Sequence, residues 1–157
     1  MTLLGNIIWF FLGGWALFLT YALGAVIFFP MFIPLFRLAV FALWPFGRDV
    51  VTRAQLDRYR QIKGIVADSS ALETTLKHAS AVLNLLWMLT FGWLLALLHL
   101  LASLANLCVF FLVVTIPNIG GHWKLIRVAF LPFNKVIVPS DLARDIANEL
   151  ARARLGL

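Results

Sequence analysis

Residues 79–121 read ASAVLNLLWMLTFGWLLALLHLLASLANLCVFFLVVTIPNIGG, a run of 43 residues without Asp, Glu, Lys or Arg. The first 36 residues of the chain also lack these four residue types. A helix needs about 20 apolar residues to cross a hydrocarbon core about 30 Å thick. At about 1.5 Å per residue, the longer run suffices for about two crossings. The sequence therefore predicts an integral membrane protein.

The composition of the whole chain supports this prediction. Of the 157 residues, 62% are hydrophobic and 13% are charged, whereas soluble domains carry about 25% charged residues. The length leaves room for one small membrane domain with short appendages, and not for a separate catalytic domain. The net charge of +6 is typical of basic loops beside a membrane, and we expect no nucleic-acid partner.

An internal duplication is the second informative feature of the chain. The pattern Asn-x-x-Trp-x-x-x-x-Gly-Trp occurs twice, 78 residues apart, as Asn6, Trp9, Gly14 and Trp15 and again as Asn84, Trp87, Gly92 and Trp93. A second set recurs after 87 residues: Pro30, Arg37, Leu38, Ala42, Pro45-Phe46 and Val51 return as Pro117, Lys124, Leu125, Ala129, Pro132-Phe133 and Val138. Uncommon residues in matching order indicate a tandem of two related halves, about residues 4–51 and 82–138.

The duplication divides the chain into four segments. Residues 1–51 and 79–138 are the two membrane repeats. Residues 52–78 form a charged cytoplasmic loop or helix, and residues 139–157 an amphipathic C-terminal helix that is expected to lie on the membrane surface or on a neighbouring element.

Capping residues and apolar faces predict helices in the two charged segments. Thr52 is placed to cap a helix that extends toward Lys77, with an apolar face made of Leu56, Tyr59, Ile62 and Ile65. Ser140 is placed to cap the last helix, whose apolar face holds Leu142, Ile146 and Leu150.

The cations predict the orientation. Residues 48–78 contain six Lys or Arg, residues 122–157 contain six more, and residues 2–36 contain none. Because basic loops stay cytoplasmic, both the loop and the C-terminus are expected inside. The second apolar run then forms a hairpin, with its turn near residues 103–106. If the first half does the same, the chain has about four spans and a cytoplasmic N-terminus.

Each half closes on Pro-Phe followed by a basic, β-branched stretch. Because Pro disfavours helix at the preceding residue, an interfacial helix is expected to end at Pro45 and another at Pro132. Residues 50–51 and 136–138 are predicted to pair as short strands that tie the halves together, related by a pseudo-two-fold axis. The predicted fold class is an all-α integral membrane protein of two tandem halves, with interfacial helices and short cytoplasmic strands.

The paired motifs identify a resemblance. The residues that carry it are Asn6-x-x-Trp9 with Gly13-Gly14-Trp15, Phe36-Arg37-Leu38-Ala39, the stretch from Ala42 to Arg48, and in the second half Asn84, Trp87, Lys124 and Pro132-Phe133. On these residues the chain resembles the YccF family of bacterial inner-membrane proteins. The second closing motif has Asn134 where the family often has Gly. The resemblance implies a multi-pass protein of the bacterial inner membrane, and it implies no settled biochemical activity.

Four polar residues are candidates for a pore or a lipid-headgroup site. Arg37 and Lys124 occupy matching positions beside long apolar segments, where a cation is either functional or extends its side chain to the headgroups. Asn6 and Asn84 open the membrane segments, where they either cap helices and bridge them or line a polar path.

The repeated Trp and Gly residues have structural interpretations. Trp9, Trp15, Trp87 and Trp93 are expected at the membrane interface or in helix packing. Gly14 and Gly92 are expected to allow close packing of helices, or to break a helix and expose backbone dipoles to an ion.

The sequence offers little for catalysis or metal binding. His99 and Cys108 are two metal-ligating residue types without a third, so a packed or hydrogen-bonded His99 is the better interpretation. No catalytic motif is present, and every Asp and Glu lies outside the apolar runs. We therefore expect no enzymatic activity, no catalytic residues, no metal and no cofactor.

Two functions remain open at this point. The first is a homo-oligomeric channel or transport component for anions or small solutes, because a chain with about four spans scarcely encloses a path alone. The second is a non-enzymatic scaffold that binds a larger membrane protein through its helices and the basic loop. The lipid bilayer is the surrounding partner in both.

Overall fold

The structure, a computed structural model, describes residues 2–65, 71–109 and 111–156, except for the side chains of residues 30, 71–78 and 114. Its helices are α1 Thr2–Trp9, α2 Trp15–Ile27, α3 Phe32–Leu43, α4 Arg53–Ile62, α5 Ala71–Trp87, α6 Trp93–Cys108, α7 Ile116–Phe130 and α8 Ser140–Leu155. The strands are β1 Arg48–Thr52 and β2 Lys135–Pro139. A π-helical turn joins α1 to α2 (Phe10–Gly14) and another joins α5 to α6 (Met88–Gly92).

Two helical stretches are long and apolar enough to cross a membrane. They are Thr2–Ile27, with 26 residues, and Ala79–Cys108, with 30 residues. Many of their large apolar side chains are exposed, such as Leu19, Leu23, Leu97 and Leu101. An exposed apolar surface of this extent is typical of helices that face lipid.

Each half is a hairpin of one long helical stretch and one shorter helix. In the first half α3 packs against α2, and in the second α7 packs against α6. The predicted turn at residues 103–106 is wrong, because α6 continues to Cys108. No Gly or Pro interrupts the helix before that residue, and a short 3₁₀ turn, Val113–Thr115, leads into α7 just ahead of Pro117.

The Asn-x-x-Trp motif replaces a helical hydrogen bond that proline removes. In a continuous helix the Phe46 N–H would donate to the Ala42 carbonyl, but α3 ends at Leu43, two residues before Pro45. Trp9 Nε1 donates to the Ala42 carbonyl instead, at 2.8 Å, and the Phe46 N–H donates to Asn6 Oδ1 at 2.9 Å. Asn6 Nδ2 also donates to the Phe46 carbonyl at 3.0 Å.

The second half repeats this arrangement. Trp87 Nε1 donates to the Ala129 carbonyl at 2.8 Å, and the Phe133 N–H donates to Asn84 Oδ1 at 3.0 Å. Asn84 Nδ2 donates to the Phe133 carbonyl at 3.2 Å. The prediction that helices end ahead of the two Pro-Phe motifs is confirmed.

Glycine makes room for the two tryptophan rings. A Cβ on Gly14 would lie 2.4 Å from Cδ1 of Trp9, and a Cβ on Gly92 would lie 2.9 Å from Cδ1 of Trp87. Each π-helical turn therefore places a glycine in direct contact with the indole ring of the Trp that precedes the turn. Trp9 and Trp87 are buried at 2% and 0% exposure, so of the two predicted roles they have the packing role.

The two strands join the halves as predicted. β1 and β2 are antiparallel, and Val50 pairs with Ile137, its equivalent 87 residues later. Arg48 pairs with Pro139, the equivalent of Thr52. Equivalent residues of the two strands therefore exchange places in the pairing, as they do when a two-fold axis passes between Val50 and Ile137. The turn before each strand needs a left-handed residue, Gly47 (φ 86°) in one half and Asn134 (φ 69°) in the other, and Asn tolerates this conformation better than most residues.

The repeat extends beyond the predicted halves into a helix that follows each strand. α4 begins at Arg53 and α8 at Ser140, again 87 residues apart. The predicted Thr52 cap is confirmed, because Thr52 Oγ1 accepts the Gln55 N–H at 3.1 Å. The predicted Ser140 cap is wrong: Pro139 is the capping residue, and its ring offers no side-chain acceptor.

The two helices pack on each other and on the strands. Ile146 of α8 is buried with Val51 and Val138, and the partly buried residues around them are Leu56, Tyr59, Val136, Leu142, Ala143 and Leu150. The predicted face of α4 is too long, because the helix ends at Ile62 and Ile65 is exposed beyond it. The predicted continuation of this helix through residues 66–70 lies outside the described residues.

Polar contacts at the surface also connect α4 to α8. The Tyr59 hydroxyl donates to Asp145 Oδ2 at 2.5 Å, and Lys63 Nζ donates to Glu149 Oε1 at 2.8 Å. The hydrogen bond to Asp145 raises the pKa of Tyr59, and the hydrogen bond to Glu149 raises the pKa of Lys63. Both groups therefore keep their protons, and these contacts, through neutral pH.

Two adjacent glycines of α7 provide a test of this packing. A Cβ on Gly121 would lie 2.8 Å from Cζ3 of the buried Trp9, whereas a Cβ on Gly120 would meet nothing within 4 Å. We expect Gly121→Ala to lower the stability by about 1–3 kcal/mol through overpacking. Gly120→Ala, the matched control, should raise it by up to about 1 kcal/mol through helix propensity. Thermal unfolding in detergent, followed by tryptophan fluorescence, measures both, and equal losses in the two variants would contradict this packing.

Candidate functional site

A line of polar side chains lies between α6 and α7. Four of the six residues are spaced by one helical turn on their own helix, His99 with Ser103 and Asn118 with His122, so each pair shares one face. We call the set the polar seam; its members are His99, Ser103 and Asn106 on α6 and Thr115, Asn118 and His122 at and after the start of α7. All of these are buried except Asn106, which is half-buried near the turn between the two helices.

Two histidines form the deep end of the polar seam. His99 Nδ1 and His122 Nδ1 are 3.1 Å apart, so one ring donates and the other accepts. On the far side of His99, its Nε2 lies 3.4 Å from the Tyr21 hydroxyl of α2. The Trp9 indole lies against the His122 ring, with centroids 4.5 Å apart. The seam is therefore closed at this end by an aromatic side chain from the first half.

The end of the polar seam near the turn contains an unpaired acceptor. Asn118 Nδ2 donates to Asn106 Oδ1 at 3.4 Å. Asn118 Oδ1 is buried and has no hydrogen-bond partner among the described residues. Thr115 donates to the Leu112 carbonyl at 2.9 Å and so closes the turn. A buried acceptor without a donor is a position where a water molecule or a polar solute gains a hydrogen bond.

The first half has no such seam, although it has the same hairpin. The residue equivalent to His99 is Tyr21, and the one equivalent to Ser103 is Ala25. On the returning helix, Met31 and Leu35 stand where the second half has Asn118 and His122. Mostly apolar residues therefore fill these positions in the first copy, and we expect the fold not to need the polar residues of the second copy. Polar groups in membrane helices are costly and mark functional positions.

The structure separates the two matching cations. Lys124 Nζ donates to the Arg48 carbonyl at 2.9 Å and lies 3.2 Å from Asp49 Oδ2. It connects α7 of the second half to β1 of the first. Arg37 is exposed on α3 and has no hydrogen bond or ion pair with any residue that the structure describes. The pair that the sequence presents as symmetric thus has one neutralised cation and one free cation.

The other predicted residues lie away from the polar seam. Asn6 and Asn84 bind the backbone at the two Pro-Phe motifs, as described above. Trp15 and Trp93 are about half exposed, at 50% and 51%, on the outer surface of their helices. Near the strands, burial and the neighbouring Arg127 lower the pKa of Lys135.

Sequence reasoning missed His122, Tyr21 and Asn118. The preferred interpretation of His99, packed or hydrogen-bonded, is confirmed: His99 is buried and contacts His122 and Tyr21, whereas Cys108 is exposed. In the described ranges, no three His, Cys, Asp or Glu side chains group closely enough to hold a metal ion. The four-residue spacing in both helices was a usable signal, since it puts polar residues on one face of each.

The fold and the polar seam define a helical membrane protein with a polar element inside its apolar core. The family described as YccF, inner membrane component domain, matches residues 4–48 and 82–135, which fall within the two repeats. The chain belongs to this family, and its place is the inner membrane. It is 25% identical over 155 residues to the inner membrane protein YccF of Escherichia coli (strain K12), covering 95% of each chain.

The protein of the same name from Shigella flexneri matches with the same identity and coverage. No solved structure matches the chain.

Exchange of the polar seam for its first-half equivalents tests whether the fold needs it. The variant Ser103→Ala, Asn118→Met, His122→Leu carries the residues found at the matching positions of the first half. We expect its stability to stay within about 1 kcal/mol of wild type or to rise, because the unpaired Asn118 Oδ1 is removed. Thermal unfolding in detergent measures this stability. A loss of several kcal/mol would show that the seam is structural.

Proposed function

We propose that this chain is a non-enzymatic transport component of the inner membrane that passes small polar solutes along the polar seam. The observation that carries the proposal is the difference between the halves: one hairpin has an apolar interface and the other a polar one. The unpaired Asn118 Oδ1 adds to it, because a solute donor that enters the seam finds an acceptor there.

The proposal includes about four membrane spans. Asn6 and Asn84 bind the chain at Phe46 and Phe133, so each half begins and ends at the same level. The turns of both hairpins then lie at the other end of the molecule, away from the strands. A chain that enters and returns in each half crosses twice per half, and α3 and α7 are the returning segments.

The orientation follows from the charges of the strand end. β1, β2, α4 and α8 carry most of the cations, so this end faces the cytoplasm. The polar seam then opens at the opposite side, near the turn between α6 and α7, and ends below it at the histidine pair.

A homo-oligomer is part of the proposal. The seam is buried between helices of one chain and is closed by Trp9. Contacts with further copies would supply the remaining wall of a path, and the exposed Arg37 would face such contacts or the lipid headgroups. An anion would be attracted to Arg37 and not to Lys124, whose charge Asp49 already balances.

A flux measurement tests the transport role. Liposomes with the purified protein are assayed with chloride, by quenching of an enclosed dye, and with glycerol, by stopped-flow light scattering. We expect wild type to pass at least one probe, and the Ser103→Ala, Asn118→Met, His122→Leu variant to fall to the protein-free background.

The matched control replaces three exposed apolar residues of α6, Leu97→Ala, Leu101→Ala and Leu104→Ala. It should keep the wild-type flux. Wild-type flux no higher than that of empty liposomes for both probes would contradict the transport role, and equal losses in both triple variants would contradict the role of the seam.

The orientation has its own test. In a Cys108→Ser background, single cysteines at Arg58 and Arg152 should react with an impermeant thiol reagent only after cell lysis, because both lie at the basic end. A cysteine at Leu112, which is 50% exposed in the turn between α6 and α7, should react in intact spheroplasts. Labelling of either basic-end position in intact spheroplasts would show that the orientation is reversed.

A further inference from the structure

Three side chains from both halves form one hydrogen-bonded chain inside the membrane domain. The Tyr21 hydroxyl is 3.4 Å from His99 Nε2, and His99 Nδ1 is 3.1 Å from His122 Nδ1. Tyr21 and His99 are fully buried, and His122 is 6% exposed. Tyr21 and His99 are also equivalent residues of the two repeats, 78 residues apart, so the chain runs from one half into the other.

The order of atoms in this chain is that of a proton wire. When the Tyr21 O–H donates to His99 Nε2, the ring carries its proton on Nδ1 and donates to His122 Nδ1, and His122 then carries its proton on Nε2. In the opposite arrangement, His122 carries its proton on Nδ1 and donates it to His99 Nδ1. His99 then carries its proton on Nε2 and donates it to the Tyr21 oxygen. Both arrangements contain neutral side chains and use the same two contacts.

We propose that Tyr21, His99 and His122 form a proton relay that couples solute passage through the polar seam to proton movement. The proposal rests on the transport role proposed above and names protons as its coupling ion. Asn118 lies one helical turn from His122, so the relay meets the solute path at the deep end of the polar seam.

One passage of the relay moves one proton and no electrons. A hydronium ion supplies a proton to the Tyr21 oxygen while the hydroxyl proton moves to His99 Nε2. His99 gives its Nδ1 proton to His122 Nδ1, and His122 releases its Nε2 proton to the seam. All three side chains end neutral, with both rings in the opposite tautomer.

Few other ionisable groups surround the relay. The α2, α3, α6 and α7 helices contain no Asp or Glu. Of the cations on these helices, Arg37 is exposed, Arg127 is exposed, and Lys124 is bound to Asp49. The groups packed against the histidine pair are the Tyr21 hydroxyl from α2 and the Trp9 indole from α1. The two histidines are thus the groups of this core whose neutral rings can each accept a proton on one nitrogen and give one up from the other.

A proton-flux experiment tests the relay with a closely matched control. Liposomes loaded with a pH-sensitive dye receive a potassium diffusion potential, and the rate of internal acidification is measured. We expect wild type to acidify faster than protein-free liposomes. Tyr21→Phe, which removes one oxygen, and His122→Leu should both fall to the protein-free rate. The chain has two tyrosines, and Tyr59→Phe, which alters the other one outside the membrane helices, should acidify as wild type does.

Chloride and glycerol flux in the same liposomes distinguishes the two proposals. Solute flux without proton flux in wild type overturns the relay and leaves the transport role in place. Absence of both fluxes overturns both proposals. Acidification by Tyr21→Phe at the wild-type rate also overturns the relay.

A measurement on the wild-type protein gives a second test that does not depend on variants. ¹⁵N-labelled histidine, observed by NMR in bilayers, reports the protonation of each ring nitrogen. The relay requires one Nδ1 of the pair to carry a proton and the other to be bare. Two rings with bare Nδ1 atoms and protonated Nε2 atoms would overturn it.

Discussion

Unpaired backbone groups are costly in a hydrocarbon medium, and the fold depends on how this chain pairs them where proline ends a helix. At each Pro-Phe motif a carbonyl and an N–H that would have bonded to each other are released. The Trp of the Asn-x-x-Trp motif takes the carbonyl, and the Asn takes the N–H. These two side chains stand about one turn apart on the long helix, and the two released groups are four residues apart at the end of the returning helix. The same contact fixes the start of each half against its end and so shapes the hairpin.

The two-strand pairing at Val50 and Ile137 makes one molecule from the two hairpins. Its reciprocal register is the internal equivalent of the contact between two subunits of a symmetric dimer. The interface also exchanges side chains between halves: Lys124 reaches β1, and Trp87 packs against Gly24 with its Cη2 2.9 Å from where a Cβ would be. A chain arranged in this way has lost the freedom of two separate subunits to exchange partners, and its two copies are free to diverge in sequence.

The two copies have diverged in sequence at the interfaces inside the hairpins. Both copies keep the Asn, Trp and Gly that hold the backbone, while the interfaces inside the hairpins differ in polarity. Leu35 and Met31 fill the first interface, and His122 and Asn118 occupy the second. A symmetric scaffold with one polar interface provides a defined direction, because the polar seam reaches the histidine pair from one side only. Tyr21 then connects this asymmetric site to the apolar half.

The sequence by itself determined the membrane environment, the duplication and the places where the chain stops being helical. Long apolar runs, repeated Asn-x-x-Trp motifs and Pro-Phe ends depend on neighbouring residues, so periodicity and spacing suffice to predict them. The strand pair at residues 50 and 137 is a long-range contact, and the equivalence of the two repeats predicted it. The turn between α6 and α7 was misplaced, since no residue in 103–106 breaks a helix.

Only the tertiary structure decided which polar groups meet. His99 lies 23 residues from His122 and 78 from Tyr21 along the chain, and no spacing rule connects such distant positions. The same holds for Lys124, because its ion pair with Asp49 joins residues that are far apart in the sequence. Contacts between distant residues depend on how whole helices are packed, which is a property of the folded molecule and not of any local pattern.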